Sequence, residues 1–339
     1  MNNHWEKSSQ DNKMARLPVC SCLRVAKKKL LLILVTSVVV YNEWFTYTAT
    51  TLSWPDLGGS SDDSVRVLFA ADPQILSLLS DSEPEFPLNL ITIWDANRFV
   101  RRGFQMALWK IKPDIVVFLG DLLNDGSIAN DSDFNTTLQH FKNLMTVPNY
   151  VKHVFSLPGD NDIGGEGSDL VTPHKVRRFY SFLNQSMTLQ YKFVDFIQEI
   201  IKHKPSFIFS GHDHDSFHFT STKQDAHAHD FEVLTKEQHV WQYESLGTIL
   251  HEIAVPTCSY RMGKMDTGYG AAVINKSGTI SYTVLWLPSR FTHLLVYLAF
   301  IFLIIIILVL PGHYTAPSNP QSLKVKPSGA SVGMEEEAL

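Results

Sequence analysis

Four short apolar runs each end in a tight turn carrying Asp, Asn, Gln or His, and this repetition constrains the fold most. Residues 65–71 end at Asp72-Pro73-Gln74, and 114–119 end at Gly120-Asp121. Residues 153–157 end at Pro158-Gly159-Asp160-Asn161-Asp162, and 206–209 end at Gly211-His212-Asp213-His214. Short unbroken apolar runs bounded by Gly or Pro read as buried strands. Between them, 94–112, 134–145 and 194–203 carry helical spacing, so the pattern is that of an α/β domain. In open α/β sheets ligands bind beyond the carboxyl ends of strands, so the four turns are expected to converge. Later runs at 249–255, 271–274 and 280–287 read as a meander of further strands.

The converging set is Asp72, Gln74, Asp121, Asp160, His212 and His214. Each element alone has a bland reading: Asp72-x-Gln74 is ordinary turn chemistry, and Gly120-Asp121 an ordinary loop. The His-x-His pair is more specific, because alternation along a strand puts both imidazoles on one face. All four together suit first-row divalent metals, and several carboxylates favour two ions over one. Two ions about 3.5–4 Å apart clamp the attacking and leaving oxygens of a phosphoryl transfer.

In these turns the chain resembles the calcineurin-like metallophosphoesterases, whose pattern is D-x-H, G-D-x-x-D, G-N-H-[DE], a lone His, then G-H-x-H. Within them it is similar to the membrane-anchored metallophosphoesterase 1 group of the ER and Golgi. Supporting residues are Trp94-Asp95 with Arg98 and Arg101-Arg102, then 105–109, 175–179 and 252–256, followed by Ser259 and Arg261. The resemblance implies a four-layer αββα sandwich flanked by two transmembrane helices. It places Asp72, Gln74 and His214 on one ion, Asp160 and His212 on a second, and Asp121 between them. Manganese is the metal it implies, with zinc or iron as substitutes. It further implies removal of an ethanolamine-phosphate side branch from GPI-anchor glycans, with GPI-anchor glycolipid or GPI-anchored proteins as substrate and the ER-export machinery as a partner.

Three departures bear on activity. Gln74 stands where the pattern has His, and its amide oxygen can still ligate. Asp160-Asn161 replaces Asn-His, so the side chain expected beside the phosphate donates a hydrogen bond but no proton. A general acid contributes about 10²–10⁴-fold, which leaves Asp162 or a bound water to compensate, so Asn161 and Asp162 are the expected catalytic pair. The lone His has no counterpart at a strand end: His174 and His203 read as surface residues, and a segment after about 182 is expected to be missing. The alternative is therefore an impaired, metal-poor form that acts only as a membrane-bound binding protein. His218, His227, His229 and His239 are expected in a solvated loop.

The ends of the chain are apolar. Residues 292–310 read THLLVYLAFIFLIIIILVL, long enough at 1.5 Å per residue to cover about 28 Å of a bilayer core. A first anchor is expected over 30–50, uncleaved because 29 residues precede it and no A-x-A site follows. Glu43 within it requires a partner. Arg24 and Lys27 to Lys29 place the N-terminus in the cytosol. The expected layout is a cytosolic 1–29, a span at 30–50, a linker at 51–64, a lumenal phosphoesterase domain at 65–291, a span at 292–311 and a cytosolic tail at 312–339. Sequons at Asn130, Asn135, Asn184 and Asn275 suit a lumenal domain of an ER or Golgi membrane protein. The net charge of −5 argues against a nucleic-acid partner. Three cysteines exclude a disulfide scaffold; Cys20 and Cys22 are placed for acylation, with free thiols the default.

Overall fold

The computed structural model describes residues 19–58, 63–77, 86–183, 205–222, 225–237, 240–245 and 247–309, with the backbone path alone for 19–26 and 225–229. The helix expected over 194–203, His203, His239 and the segment after 183 lie outside the described residues. Two helices come first, α1 (Val19–Val40) and α2 (Thr46–Ser53), joined without a break through a wide helical turn at Tyr41–Phe45. Then follow β1 (Ser64–Ala70), α3 (Leu88–Ile111), β2 (Ile115–Leu119), α4 (Asp131–Leu144), β3 (His153–Leu157), α5 (Asp160–Ile163) and α6 (Pro173–Leu183). The second half runs β4 (Phe207–Ser210), β5 (Phe217–Thr222), β6 (Asp225–Val233), β7 (Trp241–Glu244), β8 (Ile249–Ala254), β9 (Gly268–Asn275) and β10 (Thr279–Trp286), then α7 (Arg290–Val309).

The strands form two sheets, one in the order β3-β2-β1-β9-β10-β7 and one in the order β4-β8-β5-β6. β1, β2 and β3 run parallel, so their carboxyl ends and following turns share one edge. Alternation in β1 divides its side chains between two cores. Leu68 and Ala70 pack with Phe99, Phe104 and Leu108 of α3 and with Phe134 and Phe141 of α4. Val67 and Phe69 face Phe207 and Phe209 of β4 and Ile253 of β8, with the Phe69 and Phe209 rings stacked at 4.1 Å. Each fully buried Phe or Leu there contributes about 1.5–3 kcal/mol. The described residues thus form a mixed α/β fold with two sheets, β1 contributing side chains to both cores.

The 217–244 region corrects the expected loop. It is largely strand, and His218 lies buried on β5, its Nε2 3.0 Å from Nδ1 of His251 on β8. His227 and His229 lie on β6. The alternation that marks a strand is hidden by polar residues such as Thr220 and Asp230. Burial holds His218 down at about 4, with the neighbouring His251 adding to the shift. A histidine kept neutral in the fold costs stability as the unfolded chain takes up its proton. Unfolding midpoints should therefore fall as pH drops from about 6.5 towards about 4. His218→Gln, which keeps a partner for His251, should shrink that fall; an unchanged pH slope would show that the pair carries no such cost.

Two described helical stretches, Lys27–Ser53 and Arg290–Val309, are long and apolar enough to cross a membrane. The chain up to Tyr297 is one compact unit, and from Leu298 α7 continues with Leu298, Phe302 and Leu308 exposed. Glu43 has its partner in the compact unit: Arg290 Nη1 donates to it at 2.8 Å, Tyr297 Oη at 2.9 Å, and Arg98 and Arg102 of α3 also reach it. Arg290 bonds Asp95 of α3 as well, and Tyr260 Oη donates to Asp95 at 2.9 Å. This network ties the first apolar helix and the start of α7 to α3.

Candidate metal centre

The turns after β1 and β2 are stitched together by backbone, and the segment after β8 is joined to the first of them. Gln74 N donates to Asp121 O at 2.9 Å and Ile75 N to Leu122 O at 2.9 Å. Thr257 Oγ1 donates to Asp72 O at 3.1 Å, and Cys258 N to Ala71 O at 3.0 Å. The turn after β4 arrives from the other sheet, with His212 N donating to both oxygens of Asp72 at 3.1 and 3.2 Å. The convergence expected from four strand ends is thus present.

Inside the junction, ligand atoms of Asp121, Asp160 and His212 all lie within 4.8 Å of one another. His212 Nδ1 is 3.1 Å from Asp160 Oδ1. Asp72, with 1% of its surface exposed, joins this group through the His212 amide. Gln74 is buried and follows in the same turn; His214 is half-buried two residues beyond His212. Asp72 and His214 are not part of the compact three-residue group.

Backbone conformation sets these residues apart more sharply than distance does. Asp72, Gln74, Asp121, His212 and His214 all have positive φ, between 39° and 83°. A non-glycine residue there costs of order 1–3 kcal/mol and persists where the surroundings over-determine it, typically at functional sites. Five of the six expected ligands share this strain. Lys112, the only other non-glycine residue of this kind among those described, is the left-handed cap of α3.

The electrostatics point the same way. Burial pushes the Asp72 carboxyl up to about 8, and the charges of Asp121 and Asp160 push in the same direction. Burial and Asp160 also raise Asp121, against hydrogen bonds from Asn161. Burial lowers His214, favouring the neutral imidazole that ligates a metal. Buried carboxylates set against one another, with neutral imidazole beside them, form a donor set that a divalent cation would stabilise. The residues present fit such an ion.

The expected catalytic pair divides. Asn161 stays at the centre, its backbone N–H donating to Asp121 Oδ1 at 3.0 Å. Asp162 is fully buried, and its oxygens are occupied by backbone N–H groups. They accept from Gly159 N and Leu122 N at 3.0 Å and from Leu123 N at 3.1 Å, clamping two turns together. A motif pattern does not distinguish an acid beside substrate from an acid that holds backbone. His174 lies at the surface, 3.2 Å from Asp131, and Cys258 is buried with a free thiol.

Gly159 lets these turns approach. A Cβ there would sit 2.0 Å from Asp121 Oδ1 and 2.4 Å from Asp121 N. Gly159→Ala must push the third turn away from the second, and metal affinity should fall at least the roughly 10–100-fold typical of lost supporting contacts. Calorimetric titration with manganese checks this; unchanged affinity would mean that the turns are not held in register by this contact.

No family model matches the chain. It is 25% identical over 174 residues to metallophosphoesterase 1 of Mus musculus, covering 49% of this chain and 41% of that protein. It is 29% identical over 151 residues to metallophosphoesterase 1 of Danio rerio, covering 44% and 37%. It is also 28% identical over 144 residues to cell division control protein 1 of Saccharomyces cerevisiae, covering 42% and 27%. The matches thus cover less than half the length of these curated relatives. The chain is related to the metallophosphoesterases.

Proposed function

We propose that this chain is a metal-dependent phosphoester hydrolase that works at a membrane and removes an ethanolamine-phosphate side branch from GPI-anchor glycans. The observation that carries the hydrolase reading is the junction of four strand-end turns, with Asp121, Asp160 and His212 in one group and five ligand candidates strained. On this reading Asp72, Gln74 and His214 hold one ion, Asp160 and His212 a second, and Asp121 bridges. The oxygen-rich donor set favours manganese, with zinc or iron as alternatives. Such ions would polarise a phosphoryl oxygen and acidify a water. Asn161 supplies hydrogen bonds rather than a proton, and Asp162 holds the turn on which Asn161 sits. The apolar helices anchor the domain to an ER or Golgi membrane with the site lumenal and both termini cytosolic. GPI-anchored proteins and the ER-export machinery are the partners this reading implies.

The test is hydrolysis by purified full-length chain, in detergent, of a nitrophenyl phosphodiester and of a phosphoethanolamine-bearing glycolipid. Manganese-dependent release from both supports the proposal, release from the first alone removes the substrate assignment, and release from neither overturns the enzyme reading. A second reading, a metal-poor binding protein, is favoured by Asn161 in place of His and by a compact group of only three ligands among the described residues. Elemental analysis separates them: two ions per chain on the first reading, fewer on the second.

A further inference from the structure

We propose that the N-terminal half of α3 lies in the lumenal lipid interface, as a third membrane-contacting element beside the two apolar helices. This inference rests on reading those helices as spans. The helix starts at Leu88, six residues before the helical spacing that the sequence displayed at Trp94. The added turns are apolar on both sides. Ile93, Ala96, Phe99 and Val100 face the core, while Leu88, Ile91 and Trp94 are 60%, 61% and 62% exposed. Spaced by three, these last form one stripe. Arg98 and Arg101 continue it, with the Arg98 guanidinium 5.2 Å from the centre of the Trp94 ring. A helix apolar all round is covered by something, and its unburied face is too apolar for water.

The ion-pair network says what covers it. Counted from Leu30, Glu43 lies about 20 Å along its helix at 1.5 Å per residue. That leaves it about 10 Å inside the far boundary of a hydrocarbon core of about 30 Å. Arg98 and Arg102 of α3 contact Glu43 directly, and Arg102 also packs over the Tyr47 ring at 4.0 Å. At Arg98, α3 is therefore within a side-chain length of that depth. Its apolar stripe runs on from this crossing towards the boundary, and Trp94, 62% exposed, stands on it as an interfacial aromatic. The charges facing the apolar helices are paired with Glu43, which removes the main cost of placing them there.

The placement bears on the metal centre. Asn97, next to Arg98, exchanges two hydrogen bonds with the backbone of Leu76, at 3.1 and 2.9 Å. Leu76 lies two residues beyond Gln74, so α3 fixes the first metal turn close to the bilayer surface. The phosphoesters best presented to it are those on membrane lipids.

The test uses full-length chain with Cys20→Ser and Cys22→Ser, reconstituted in phosphatidylcholine vesicles carrying brominated acyl chains. A polarity-sensitive fluorophore is placed at Leu88→Cys or Ile91→Cys on α3, at Trp44→Cys in the first apolar helix, or at Lys276→Cys in the exposed β9–β10 turn. The expected result is about a twofold or greater quench at 88, 91 and 44, with none at 276. Quenching at 44 without quenching at 88 and 91 overturns this inference and leaves the membrane reading standing. No quenching at 44 overturns both. A signal at 88 and 91 that depends on protein concentration rather than on bromine would assign the stripe to a second copy of the chain, and equally overturns the inference.

Discussion

Asp121→Asn will abolish phosphoester hydrolysis while leaving the metal-free fold as stable as before or more so. The amide keeps an acceptor for the Asn161 N–H, so the turn is retained. What it loses is a charge at the point where Asp160, His212 and, through the His212 amide, Asp72 meet. In the metal-free protein that charge is unfavourable, because it helps push Asp72 up. Removing it relieves repulsion among buried carboxylates. In the metal-loaded protein the same change would remove the proposed bridging ligand, and should cost more than the roughly 10–100-fold in affinity that a supporting residue costs. Thermal unfolding with and without manganese reads both effects: the metal-induced rise in midpoint should disappear while the metal-free midpoint holds or climbs. Retained hydrolysis in Asp121→Asn would remove this residue from the site.

Arg290→Met will destabilise the chain by about 3–5 kcal/mol, the range for breaking a buried ion pair from one side. Arg290 has only 4% of its side chain exposed and serves two acids, Asp95 and Glu43, that are themselves mostly buried. Tyr260 still reaches Asp95, and Arg98 and Tyr297 still reach Glu43, so the loss belongs at the lower end of that range. Lysine is expected to recover only part, since its single ammonium lacks the fork that serves both carboxylates. Asp95→Leu added to Arg290→Met should restore some stability by removing the stranded charge. Denaturant or thermal unfolding in detergent measures each variant, and a loss below about 1 kcal/mol for Arg290→Met would place the network at the level of a surface pair. Loss of this network should also loosen α3, and with it the Asn97 contact that holds Leu76.

Much of the sheet was legible. The strands at 65–71 and 114–119 were readable because parallel strands largely buried on both faces are unbroken apolar runs, whereas β3 at 153–157 was readable from its apolar residues although it lies exposed at the sheet edge. β5, β6 and β7 were not, since their exposed faces carry polar residues and their register depends on partners distant in sequence, such as Thr220 opposite His251. The start of α3 was missed for a related reason: LNLITI lacks the polar face that reveals helical period.

The sequence by itself determined that the turns after β1, β2 and β3 share one edge, because the ends of adjacent parallel strands must lie along it. It also determined that Glu43 needed a cation. Only the tertiary structure decided which cation, since Arg290 lies 247 residues away. It alone decided that Asp162 accepts backbone N–H groups from two turns, because hydrogen-bond partners are a property of packed turns. It alone decided that five ligand candidates sit at positive φ. That strain is set by contacts between four turns, and no local pattern records it.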